Sequence, residues 1–269
     1  MVALSALTAA NARRWAVARM LADRGLAFRA VARRLVAARD RYLAVARQTG
    51  VPWFVIAVIH EREASQRWDA SLAQGDPWNR VSTHVPRGRG PFPSWAAAAV
   101  DALVDCPPHA ARWKDWSPGG LLTLLEHYNG LGYAGMGQPS PYVWSGTDQY
   151  SRGKYVRDGV YDPNAVDAQL GCAGLLLAMA EIDAGVAAAL GHSDATPSAV
   201  PAARRAAGRP SPKPKTPAVI AAATAAAGAG AWWPGLSSGT RAALVVVVVA
   251  GLAAAIVFFI KHRKQEARP

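Results

Sequence analysis

The chain has 269 residues, 51% of them hydrophobic, and a net charge of +12 from 30 Lys or Arg against 18 Asp or Glu. That is room for one ordinary domain with attachments, or for two small ones. Six scattered His, two distant Cys (Cys106 and Cys172) and no His-Glu-x-x-His pattern exclude the usual metal-enzyme signatures, so neither a metal nor another cofactor is expected.

The charge is uneven. Residues 1–50 hold ten Arg against Asp23 and Asp40, and residues 201–217 hold five Lys or Arg and no acid. A basic chain is drawn to nucleic acid, anionic lipid or an acidic polymer alike. Zinc-finger spacing, RNA-binding aromatic motifs and basic-zipper heptads are all missing, so a nucleic-acid partner is not expected. Arg13, Arg14, Arg19, Arg33 and Arg34 read as the solvated face of Ala-rich helices.

In chain order, residues 8–48 have the apolar spacing of one or two amphipathic helices, an N-terminal helical segment (1–48) packing on the domain that follows. Gly50-Val51-Pro52 breaks the pattern, and Pro52 suits the first turn of the next helix. That helix reads WFVIAVIHEREAS. Its six consecutive apolar residues, Phe54 to Ile59, predict burial on nearly all sides before His60, Glu61, Arg62 and Glu63 arrive at its end. Residues 74–93 are rich in Gly and Pro and predict a loop or short hairpin. Helices follow at 94–105 and at 118–127, the second started by Ser117-Pro118. Residues 132–163 read as irregular and aromatic, and 163–190 as a helix closing the core. The domain, residues 49–191, ends near Gly191.

Residues 192–231 turn to Ala, Pro, Ser and Lys, and RPSPKPKTP at 209–217 favours an extended tether. Residues 242–260 form an uncharged run of nineteen, which as a helix spans about 28 Å, the thickness of a bilayer core. Trp232 and Trp233 precede it, and a basic tail at 261–269 with Lys261, Arg263 and Lys264 follows. A single transmembrane helix is expected there. The tail favours a cytoplasmic C-terminus and so an external domain, although the N-terminus lacks the apolar stretch of a secretory signal. The fold class expected is mostly α with this C-terminal membrane helix.

Glycosidic cleavage needs a carboxylic acid that stays protonated near neutral pH, and burial at a helix end supplies one. Glu61 and Glu63 are the candidates. Two residues apart on a helix they point to different sides, so only one faces a given cleft. If that one is Glu63, His60 lies one turn back on a similar face and is expected to help orient it, leaving Glu61 to solvent or a salt bridge. Asp76 and Asp148 are the loop-borne candidates for a second carboxylate, each with a turn-stabilising role as the alternative. Tyr142 and Trp144 suit either sugar stacking or the core. Arg87 and Arg89 suit either acidic peptide groups or solvent, and Thr83 and His84 carry no assignment.

The segment TGVPWFVIAVIHEREAS resembles the catalytic helix of lytic transglycosylases and goose-type lysozymes. HYNGLGY at 127–133 is similar to the groove motif of that superfamily. Together with GDPWNRVSTHVPRGRGPF and SPYVWSGTDQY, the stretch from about 40 to 185 resembles phage and bacterial lysozyme-family peptidoglycan hydrolases. The resemblance implies a lysozyme-like helical domain that cuts the β-1,4 bond between N-acetylmuramic acid and N-acetylglucosamine, with peptidoglycan as partner. It puts the catalytic acid at Glu63, and substrate contacts at Tyr128, Asn129 and Tyr133. The family's Glu-Ser pair is Glu-Ala-Ser here, which keeps Glu61 open as the alternative. If neither Asp76 nor Asp148 serves, the resemblance implies that the substrate's own N-acetyl or 6-hydroxyl group takes part. A non-catalytic wall-binding module and a membrane-anchored structural or DNA-associated protein are the rival readings. The oligomeric state and the pairing of Cys106 with Cys172 are not set by the sequence.

Overall fold

The computed structural model describes residues 2–84 and 86–191. The tether, the membrane span at 242–260 and the basic tail lie outside the described residues. The chain divides into two units after Ala202. Among the described residues no single helix is long and apolar enough to cross a membrane.

The architecture is mostly α. The predicted helical stretch at 8–48 resolves into three helices: α1 (Leu4–Val17), α2 (Gly25–Ala37) and α3 (Arg39–Thr49). They are part of the core. Phe28, Leu35, Tyr42 and Val45 are all fully buried. Gly50 ends α3 in the left-handed region (φ 73°), its N–H donating to Ala46 O at 2.8 Å, the glycine C-cap that the sequence advertises.

The central helix α4 (Trp53–Ala64) starts one residue after the expected Pro52, which serves as its N-cap. Every residue from Trp53 to His60 is buried, as the unbroken apolar run requires. α5 (Trp95–Val104) is capped by Ser94, whose hydroxyl accepts from Ala97 N. α6 (Pro118–Asn129) is capped by Ser117, which accepts from Gly120 N at 3.2 Å. Gly119 at its first turn lets α1 come close: a Cβ there would stand 2.7 Å from Thr8 O and 2.8 Å from the Ala12 methyl.

Two short helices follow, α7 (Gly132–Gly135) and α8 (Pro141–Trp144). The region read as irregular also holds an antiparallel hairpin, β1 (Lys154–Arg157) and β2 (Val160–Asp162), pairing Tyr155 with Tyr161. The closing helix is shorter than the 163–190 expected. Residues 163–171 are not helical, and α9 (Cys172–Ala180) and α10 (Ala184–Ala189) share the rest, separated by Asp183, which caps α10 by accepting from Val186 N. α9 packs on α2 and α4, with Phe28 set against Gly174. Cys106 and Cys172 are both buried free thiols.

Candidate active site

The end of α4 is fixed by two consecutive non-glycine residues in the left-handed region, Ser65 (φ 51°) and Gln66 (φ 57°). Ser65 N donates to Glu61 O at 2.8 Å and Gln66 N to His60 O at 3.2 Å, which satisfies the terminal carbonyls. The Gln66 amide in turn donates to Arg34 O and to the Tyr42 hydroxyl. Non-glycine residues persist there only when surroundings hold them, and here the held backbone begins two residues after Glu63.

Glu63 is partly exposed, and the Tyr142 hydroxyl of α8 donates to its Oε1 at 2.9 Å. Burial pushes its carboxyl up to about 7, against the smaller opposing effects of the Tyr142 hydrogen bond and the Arg62 charge. No ion pair involves Glu63 among the described residues. Glu61 has a different setting: its Oε2 lies 3.7 Å from Arg34 Nη2, on the side of α4 that faces α2. Burial raises its pKa too, with Arg34 and Arg62 opposing.

His60 does not support Glu63, contrary to the expectation from its place one turn back. It is fully buried, with Nε2 2.8 Å from Arg67 O and Nδ1 3.0 Å from the Tyr42 hydroxyl. The Arg67 carbonyl can only accept, so Nε2 carries the proton and Nδ1 accepts from Tyr42. Trp68 and Trp95 pack on the ring at 4.7 and 4.8 Å. Burial lowers its pKa to about 4, so this is a neutral core histidine.

A cleft of about 440 Å³ opens beside Tyr142. Arg62, Asn129, Tyr133, Tyr142, Lys154 and Asp167 line it, and the β1–β2 hairpin forms one wall. Both neighbours of Glu63, Arg62 and Tyr142, are in the lining, while the Glu63 carboxyl itself is not. The Arg62 guanidinium sits 4.7 Å from the centre of the Tyr142 ring and donates to Asp167 Oδ2 and Leu170 O, both at 3.2 Å. Lys154 Nζ donates to the other Asp167 oxygen at 3.1 Å. Burial pushes the Asp167 carboxyl up, but Arg62 and Lys154 together hold it below the usual range. Tyr133, Tyr155 and Tyr161 form an edge-to-face cluster with centroids 5.2 to 6.3 Å apart, and the Tyr133 hydroxyl accepts from Tyr155 N at 2.9 Å.

Four predicted residues therefore gather here: Glu63, Asn129, Tyr133 and Tyr142. Tyr128 is not in the lining and donates its hydroxyl to Leu72 O at 3.1 Å. Trp144 takes the core role rather than sugar stacking: it is 0% exposed and does not line the cleft. Asp76 and Asp148 take the turn-stabilising role that was their alternative, each accepting from backbone donors. Asp76 accepts from Thr83 N, His84 N and His84 Nδ1, which together outweigh its burial and lower its pKa. Asp148 accepts from Arg19 N at 2.9 Å and ties the end of α1 to the loop after α8. Burial raises its pKa, and the hydrogen bonds from Arg19 and Gln149 lower it by more. Arg89 pairs with Asp101 and Asp105, and Arg87 is solvent-exposed. Asp167, Arg62 and Lys154 are the cleft residues that sequence reasoning missed.

The chain matches no protein-family model, no curated protein and no solved structure.

Proposed function

We propose that residues 49–191, together with the helices before them, form a lysozyme-like domain that cuts peptidoglycan glycan strands at the β-1,4 bond between N-acetylmuramic acid and N-acetylglucosamine. One observation carries this reading. The Glu63 carboxyl, at the end of a buried helix beside a cleft, has its pKa raised to about 7 and a single neutral hydrogen-bond donor. A group so placed is about half protonated at neutral pH, and its protonated form can release a proton to a leaving oxygen.

The second half of the reaction follows from which carboxylates share the cleft. Asp167 is locked between two cations, and Asp158 lies exposed at the turn of the hairpin. Asp167 is thus held from activating water in the manner of an inverting hydrolase, which leaves Asp158, in the cleft lining, as the carboxylate for that route. The transglycosylase route needs no second carboxylate, and we take it as the simpler. Glu63 protonates the oxygen leaving C1, the muramic 6-hydroxyl attacks C1, and the resulting Glu63 carboxylate takes the 6-hydroxyl proton. Asn129 and the rings of Tyr133 and Tyr155 supply hydrogen bonds and stacking faces for the sugars. The run at 242–260 would hold the enzyme to a membrane through the 192–231 tether, with the domain facing the wall. Either a phage lysis enzyme or a wall-remodelling enzyme suits this plan.

The test is muropeptide release from purified sacculi by the full chain, read by mass. The wild type is expected to yield 1,6-anhydro ends, and Glu63→Gln to lose about a hundredfold or more of the rate. Release by Glu63→Gln at the wild-type rate would remove the assignment. A non-catalytic wall-binding module is the second reading. It is favoured by the absence of the Glu63 carboxyl from the cleft lining, and it prevails if the wild type sediments with sacculi and releases nothing.

A further inference from the structure

A second cavity, of about 510 Å³, lies on the far side of the 132–139 segment. That segment is a shared wall: Gly132 and Tyr133 face the first cleft, while Ala134, Gly135 and Pro139 face the second. The opposite wall is a stripe of α1. Ala3, Leu7, Ala10 and Arg14 recur at the spacing of one helical face, so three small or branched apolar groups lead to one guanidinium. Gly135 adds room, since a Cβ there meets nothing.

Glu126 of α6 closes the cavity. It is 1% exposed, lines the cavity and has an Oε1 with no hydrogen-bond partner. A buried polar atom left unpartnered in a native fold asks for a reason, and a ligand is one. Asn11, whose amide donates to Thr123 Oγ1 at 3.1 Å, also hydrogen-bonds the Glu126 carboxyl but leaves Oε1 without a partner. Burial pushes the Glu126 carboxyl up to about 7, with Asn11 and the Arg14 charge opposing.

These features select a ligand chemistry. In its protonated form the Glu126 carboxyl is both donor and acceptor, which matches the N–H and C=O of an amide, and in its ionised form it accepts from the N–H alone. Arg14 suits a carboxylate, which a guanidinium grips with two parallel hydrogen bonds. The α1 wall between them offers the methyl groups of Ala3, Ala6 and Ala10 and the Leu7 side chain, which suit methyl-sized side chains. We infer that the cavity between α1, Glu126 and the 134–139 segment binds the carboxylate end of a short peptide with small aliphatic side chains, Arg14 holding the carboxylate and Glu126 an amide. Its volume is ordinary for a small-molecule site. The inference stands apart from glycan cleavage, because binding is read without turnover.

The experiment is calorimetric titration of the full chain, kept in mild detergent, with N-acetyl-dialanine in its L,L and D,D forms and with the C-terminal carboxamide of each. At least one acid form is expected to bind, with its carboxamide about tenfold weaker or more. Preference for the D,D form names a wall peptide as the source, and preference for the L,L form a protein C-terminus. Arg14→Gln, at a partly exposed position, should abolish the difference between acid and amide while leaving helicity and muropeptide release unchanged. Ala10→Phe should block both forms. Hydration alone would explain the cavity, and the inference would be overturned, if no acid form binds, if acid and amide bind alike, or if Arg14→Gln binds as the wild type does.

Discussion

The Tyr142 hydroxyl donates to Glu63 Oε1 across 79 residues of sequence, at 2.9 Å. This bond joins the end of α4 to the first turn of α8, and it works against the burial that raises the Glu63 pKa. A hydrogen bond donated to a carboxylate stabilises the charged form, so Tyr142 holds Glu63 at about 7 where burial alone would take it higher.

The pH dependence of muropeptide release follows from that balance. A general acid works in its protonated form, so the rate should fall as pH rises through about 7. Tyr142→Phe removes the opposing hydrogen bond and should move this basic limb to higher pH. The ring is retained, so its packing under Arg62 survives. Rate against pH for the two proteins decides it: a limb that stays in place, or moves down, rejects Glu63 as the titrating group.

Asp167 supplies a prediction about stability. Its carboxylate is the only acidic partner of the Arg62 guanidinium among the ion pairs of the described residues, and the Arg62 side chain is 6% exposed. Removing one member of a buried pair leaves the other charge uncompensated, which typically costs about 3–5 kcal/mol. Asp167→Asn should therefore lower the unfolding free energy by most of that amount. Lys154→Met should cost far less, because Lys154 is 30% exposed and can be replaced by water around Asp167. Equal losses in chemical denaturation for the two variants would show that the triad is not organised around Arg62.

How much of this the sequence displays depends on how local each feature is. The core helix α4 and its end are legible because apolar residues run unbroken from Phe54 to Ile59 and polar ones follow at once. Ser117-Pro118 announces α6 for an equally local reason. The hairpin is hidden because its strands have four and three residues with an irregular register, too short for an alternation to register. Asp167 is hidden because its partners Arg62 and Lys154 are 105 and 13 positions away. His60 and Trp144 show the converse. Their spacing and company suggest a site, but tertiary packing turns each ring into the core, His60 against Trp68 and Trp95, and Trp144 from the last position of α8.

Gly174 reports on the packing of α2 against α9. A Cβ there would overlap the Phe28 ring, and both residues sit in the middle of that contact. Phe28 is fully buried and has no free direction in which to yield. Overpacking of this kind costs about 1–3 kcal/mol, so Gly174→Ala should lose that much in urea denaturation despite the better helix propensity of Ala. The double variant Gly174→Ala with Phe28→Leu should recover part of the loss. Without recovery, the destabilisation has another origin than the ring.

Glu126 makes stability itself depend on pH, in a direction opposite to that of most carboxylates. Its pKa in the fold is about 7, above the ordinary 4.5, so the folded state binds the proton more tightly than the unfolded chain. The stability this contributes is complete below about pH 4.5 and is lost as pH rises through about 7. Glu126→Gln keeps the shape, abolishes the ionisation and removes that slope. Relative to the wild type, the variant should gain on the order of 1–3 kcal/mol between pH 5 and pH 8. Asp76 and Asp167, whose pKa values are lowered, slope the other way in both proteins and cancel in the difference. Urea denaturation of both proteins at the two pH values checks it. A difference that does not change with pH means that Glu126 ionises as freely in the fold as in the open chain, and that its Oε1 is in contact with solvent.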